Sequence, residues 1–142
     1  MTLWNWARTA ATNSTADSTI SWAEGMAPSQ VNDSSRAMMA ALAKYRDDLA
    51  GAISSGGTST AYTVTSYQTF DTRLHMSGAL IAFTPHTTNG ATVTLNVDGL
   101  GALPLRSAPS TEIGAGVLVQ GTPYVALYSN STTEFLLQSF YS

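Results

Sequence analysis

Turn-forming residues cut the second half of this sequence into pieces too short for most helices. Pro85, Asn89-Gly90, Asp98-Gly99, Pro109, Gly121-Thr122-Pro123 and Ser129-Asn130-Ser131 punctuate it. Pro presets φ at such sites, and Gly, Asn and Asp tolerate the left-handed conformation that tight turns require. The candidate strands between them are 61–65, 80–84, 92–97, 103–106, 116–120, 124–128 and 134–140. Alternation is clearest in Thr92-Val93-Thr94-Leu95-Asn96-Val97, which puts Val93, Leu95 and Val97 on one face. Asp98-Gly99 directly after it is a tight-turn signal. A short helical turn is expected within 66–76. The pattern predicts a mainly β fold, with a small β-sandwich or barrel-like C-terminal domain over residues 61–142.

Upstream the period changes. Residues 53–60, Ile-Ser-Ser-Gly-Gly-Thr-Ser-Thr, read as a Gly/Ser linker, and the domain boundary is placed there. Before it, Pro28 precedes Ser29, a good N-cap, and Gly51 supplies a stop. The residues between favour a helix over 29–50, roughly 33 Å long at ~1.5 Å per residue. Val31, Ser35, Met38, Leu42, Tyr45, Leu49 and Ala52 follow alternating spacings of four and three. Such a heptad seam suits helices of several chains packed about one axis, a short coiled coil over 29–52, with Ser35 its weak point. Val31, Met38, Leu42, Tyr45 and Leu49 are its candidate oligomerisation contacts. The same spacing also fits one amphipathic helix lying on a sheet.

Residues 1–28 show neither period. All three tryptophans of the chain, Trp4, Trp6 and Trp22, lie here in a background of Ala, Thr, Asn and Ser. Tryptophans are rarely left in water without a partner. They either fold back onto the C-terminal domain or serve as anchors of an extended arm that inserts into a partner protein. Their segregation into one polar segment favours the arm, with Trp4, Trp6 and Trp22 as partner-anchoring residues.

Composition narrows the function classes. A chain of 142 residues suits one compact domain with an appended segment. Charged residues are 11% of it, well below the ~25% of typical soluble domains, and such a surface meets other copies of itself with few charges to desolvate. The net charge is −3 and the six Lys and Arg are scattered, so nucleic-acid binding is not expected. No apolar run approaches a membrane span, and Met1–Arg8 lacks the features of a signal peptide. Without cysteines there is no disulfide framework.

Catalytic patterns are scarce. His75 and His86 are the only histidines, and no H-x-x-x-H or H-E-x-x-H spacing offers a metal site. No G-x-S-x-G, P-loop or G-x-G-x-x-G occurs. Glu112 and Glu134 read as isolated carboxylates, His86 as a turn histidine facing solvent or bonded to backbone, and Asp47-Asp48 as a solvated helix end. The expectation is a protein with no cofactor, no metal and no enzymatic activity.

Two stretches carry a resemblance. Ser21-Trp22-Ala23-Glu24-Gly25-Met26-Ala27-Pro28-Ser29-Gln30-Val31-Asn32-Asp33-Ser34-Ser35-Arg36-Ala37-Met38-Met39-Ala40-Ala41 resembles a segment recurring near the N-termini of bacteriophage and prophage tail-fibre-like proteins. The stretch from Thr84 to Arg106, with Gly121-Thr122-Pro123-Tyr124, is similar to their β domain. The resemblance implies a virion appendage or its adaptor, commonly trimeric, docked by its N-terminal part on tail, portal or capsid proteins and assembled in the host cytoplasm. Such fibres usually continue into a long shaft and receptor-binding tip, whereas this sequence ends at Phe140-Tyr141-Ser142. A short fibre, a head fibre, a collar component or a capsid decoration protein would fit that length. A receptor-binding module is the other expectation, in which Tyr124, Tyr128 and Phe135 stack on a host surface glycan.

Overall fold

The computed structural model describes residues 3–138 and is mostly β, with one main helix. Two compact units divide it, residues 1–46 and 47–142.

The main helix, α1, spans Pro28–Asp48. Pro28 itself is the first helical residue, where its missing N–H costs nothing and its φ is already helical. The expected N-cap role of Ser29 is therefore corrected. Instead the Gln30 side chain turns back and accepts a hydrogen bond from Ala27 N at 3.0 Å. Gly51, at φ +80°, closes the far end as expected.

Nine short strands follow: β1 (Ile53–Ser54), β2 (Gly56–Thr58), β3 (Ala61–Val64), β4 (Leu80–Thr84), β5 (Thr94–Val97), β6 (Leu103–Ala108), β7 (Thr111–Glu112), β8 (Tyr124–Ser129) and β9 (Glu134–Gln138). A four-residue helix, α2 (Arg73–Met76), lies between β3 and β4, inside the stretch where a helical turn was expected. The strand order is β1-β4-β8-β9-β6-β5-β3-β2, with β7 paired to β6. β1 and β2 sit at opposite ends of that order, yet only Ser55 separates them along the chain. One continuous stretch thus joins both ends of the sheet, which is nearly closed and barrel-like.

This corrects the linker. Residues 53–54 and 56–58 are strands, β1 parallel to β4 and β2 antiparallel to β3. The glycines that suggested flexibility are steric requirements. Gly57 has φ +82°, and a Cβ there would collide with the Ala61 carbonyl oxygen across the hairpin. The expected strand over 116–120 is absent too. Gly116 N donates to Asn89 O, and Leu118 N donates to the Asn89 side-chain oxygen at 2.7 Å. That loop spends its donors on Asn89 rather than on a neighbouring strand, and buries Leu118. Of the expected strand 134–140, residues 139 and 140 lie outside the described residues.

Alternation drives the core. Residues 61–70 alternate exposed and buried without a break, burying Tyr62, Val64, Ser66, Gln68 and Phe70. Val93, Leu95 and Val97 are buried on one face as the sequence predicts, and Phe83, Leu105, Tyr128 and Phe135 pack the same interior.

Candidate functional site

The N-terminal segment is not an extended arm. Short 3-10 turns at Leu3–Asn5 and Ala10–Ser14 fold it locally. Asn13 clamps Ala7, accepting from its N at 2.7 Å and donating to its O at 2.8 Å. Trp22 N donates to Ser14 O, and Asp17 bridges Ile20. Ser34 of α1 then holds the segment on the helix: its hydroxyl accepts from Ser21 N at 2.9 Å and donates to Ser21 O at 3.1 Å. Polar residues make this fold because each side-chain oxygen or amide replaces a backbone partner that the short turns leave unpaired.

Two of the three candidate anchors meet here. Trp6 and Trp22 line one cavity of about 100 Å³ with Asn13, Ala16, Asp17, Ile20 and Met38. Trp4 is half-buried elsewhere in the segment, and Trp22 is 37% exposed. Asp17, 5% exposed, stands in the cavity wall. Its Oδ1 accepts from Thr19 N and the Thr19 hydroxyl, and its Oδ2 from the Trp6 indole at a long 3.4 Å. Burial works against the charge, but these hydrogen bonds outweigh it and hold the Asp17 carboxyl below its ordinary range.

Along α1, the fully buried residues are Ser34, Ala41 and Asp48, seven apart and none of them large and apolar. The expected seam lies beside them. Val31, Leu42 and Tyr45 are 41%, 51% and 41% exposed, and Met38 and Leu49 are half-buried. At 100° per residue Val31, Met38, Leu42 and Tyr45 share one flank of the helix, the Asp33–Arg36 ion pair, 2.8 Å long, lies on the opposite side, and Leu49 falls just past the helix end. Val31, Leu42 and Tyr45 are thus left partly in water, while Met38 turns toward the tryptophan cavity.

The β unit brings together polar groups that looked solitary. Asp48 is fully buried, which corrects the solvated helix end. It accepts from Tyr67 N, Gln68 N and Gln68 Nε2. Burial pushes its carboxyl above the ordinary value against those bonds. Arg106 joins the two glutamates read as isolated, bonding Glu112 at 2.8 Å and Glu134 at 2.9 Å. The Arg106 hydrogen bond holds Glu134 below its ordinary value, although among the described residues its buried Oε1 has no well-formed hydrogen bond. Tyr62, buried and donating to Thr87 O at 2.6 Å, has its phenol pushed up to about 12 by burial.

One pair has the form of catalytic machinery. Ser55 Oγ lies 2.8 Å from His86 Nδ1, and His86 Nε2 bonds Gly57 O at 3.0 Å. With Nε2 donating to the carbonyl, Nδ1 accepts the Ser55 proton, the arrangement of a serine and its base. Yet Ser55 is 5% exposed and its oxygen also accepts from His86 N. The pair sits where β1 passes into β2, so it clamps the closure of the sheet. His86 is the backbone-bonded turn histidine of the sequence reading. Tyr124, Tyr128 and Phe135 are buried, so these rings offer no face to a sugar. Among the described residues no cluster of three or more His, Cys, Asp or Glu could hold a metal ion, and no helix is long and apolar enough to cross a membrane.

Sequence reasoning passed over Asp17, Ser55 and the Arg106 pairings, and placed Asp48 in solvent. Only Asp17 left a local signal, the Asp-x-Thr spacing in which an Asp side chain bonds the backbone two residues on. No known family model matches this chain, and no curated protein matches it.

Proposed function

We propose that this protein is a structural subunit of a bacteriophage particle, of the short-fibre or tail-fibre-like kind, that oligomerises as a trimer through α1 and attaches to other virion proteins through its N-terminal unit. The observation that carries the proposal is the exposed seam of Val31, Leu42 and Tyr45 flanked by Met38 and Leu49. An apolar stripe with heptad spacing is self-complementary: three copies about one axis bury it by knobs-into-holes packing, forming a short coiled coil. A second copy is the favoured occupant because the stripe keeps that spacing along the helix from Val31 to Tyr45, broken only by Ser35, while the charged Asp33–Arg36 pair lies away from it. The low charge content and the resemblance of residues 21–41 to tail-fibre-like segments agree with this reading, as does a tryptophan-bearing unit built beside the seam's first turn. The β unit in this scheme is the body that the trimer displays.

The test is the molar mass of the whole chain by light scattering at low micromolar concentration, compared with Leu42→Glu. A wild-type mass three times 14.9 kDa that falls to one chain in the variant supports the trimer. A wild-type monomer with the same mass as the variant overturns assembly through the seam. For attachment, the Trp4, Trp6 and Trp22 triple alanine variant should be lost from purified particles, and unchanged incorporation would remove the anchoring role.

A further inference from the structure

We propose that the cavity between Trp6 and Trp22 is a receptor for one arginine side chain of a partner protein, a refinement that rests on the attachment role of the N-terminal unit. Three observations lead there. First, the cavity of about 100 Å³ is well above the ~10–15 Å³ that one water needs on the same measure, so a side-chain head of a few heavy atoms has room. Second, Trp6 and Trp22 line it with Ile20 and Met38, and an indole attracts a planar cation wherever it offers its face. Third, Asp17 is the only charged residue in the lining.

That carboxylate is held in place yet incompletely used. Oδ1 is fixed by two bonds from Thr19, at 2.9 and 2.8 Å. Among the described residues Oδ2 accepts only from the indole N–H of Trp6 at 3.4 Å, too long for a strong bond, and so keeps acceptor capacity. Asn13, the other strongly polar lining residue, is committed on both sides to Ala7. Among the described residues no cation lines the cavity, so a ligand that brings a positive charge matches this buried carboxylate. Charge-assisted bonds from guanidinium to carboxylate are stronger than neutral ones, and the fork of N–H donors suits a partly occupied oxygen. A lysine would supply a point charge without the flat face that the two indoles favour.

The probe is N-acetyl-arginine methylamide, titrated into the ¹⁵N-labelled full chain while the indole N–H signals are followed. Saturable shifts of the Trp6 and Trp22 signals are expected, with N-acetyl-norleucine methylamide and equal sodium chloride giving none. Asp17→Asn should weaken binding at least tenfold. Because that variant disturbs the Asp17 turn, Trp22→Leu is the second variant, keeping an apolar side chain but removing one π face, and it too should weaken binding. Shifts that do not saturate, that norleucine reproduces, or that survive in both variants overturn the proposal. Absence of arginine binding by a protein that still enters particles sinks the pocket alone. Arginine binding by a protein that never enters particles sinks the attachment role and leaves the pocket standing.

Discussion

The two units are held together by different forces. The β unit encloses Tyr62, Phe83, Leu95, Leu105, Tyr128 and Phe135, each at most 1% exposed. In residues 3–46 the buried residues are Ile20, Ala41, Asp17 and Ser34, half of them polar. Apolar burial stabilises by about 25 cal/mol per Å², so a core of large side chains makes one cooperative body. Net hydrogen bonds contribute about 0.5–1.5 kcal/mol each, enough to define a local geometry but not to protect it from opening. The N-terminal unit is therefore shaped in advance and weakly stabilised, a combination suited to a surface completed by a partner.

Substitutions of one kind in both units test that contrast. Phe83→Ala should cost about 3–5 kcal/mol, read as a lower urea midpoint for the whole β unit. Ile20→Ala should leave that midpoint in place and speed amide exchange only around residues 7–22. A shared unfolding transition shifted equally by both would show that the units are energetically one.

A smaller, pH-dependent loss is expected at Arg106→Met, which leaves Glu134 buried without its cation. Glu134 has a folded value below its ordinary one near 4.5, so its contribution is present above that value and is lost as pH falls. The gap between variant and wild type in urea midpoint should thus be widest at neutral pH and close toward pH 3. Asp48 has the opposite sign. Its folded value is raised above 3.8, so its contribution is fully present below 3.8 and is lost as pH rises through the folded value. Asp48→Asn should make stability climb more steeply with pH than in the wild type, and a parallel profile would refute the buried charge.

Ser34→Ala removes both bonds to Ser21 and should cost about 1–2 kcal/mol of local stability. Faster exchange at residues 13–22, with α1 beyond Ala41 unchanged, would place that clamp inside the N-terminal unit. Smallest of all, Leu42→Glu should change the stability of the single chain by less than ~0.5 kcal/mol, because Leu42 is already half in water. A larger loss measured at a concentration where the chain is monomeric would mean that the seam packs within its own chain.

Local pattern carried much of the fold. The strand over Leu80–Thr84, the buried face of Val93, Leu95 and Val97, and the turn at Asp98-Gly99 all follow from side-chain period and turn chemistry, which act between near neighbours. The span of α1 was legible for the same reason, while its N-terminus depended on whether Pro28 or Ser29 began the helix. Tryptophans in a polar segment ask for a partner, and what the sequence did not announce is that the segment's own turns bring Trp6 and Trp22 together around Asp17.

The sequence by itself determined the mainly β class, the helix with its apolar seam, and the concentration of tryptophans near the start, because each is a property of spacing or composition. Tertiary structure alone decided that residues 53–58 close the sheet, that Asp48 is buried, and that Arg106 meets Glu134. Backbone pairing between Ile53 and Phe83, and the pairing of a carboxylate with a cation 28 positions away, depend on which distant groups arrive together. A Gly/Ser stretch has no side-chain period to announce its strand partners. A buried charge becomes tolerable only once the fold has aimed donors at it.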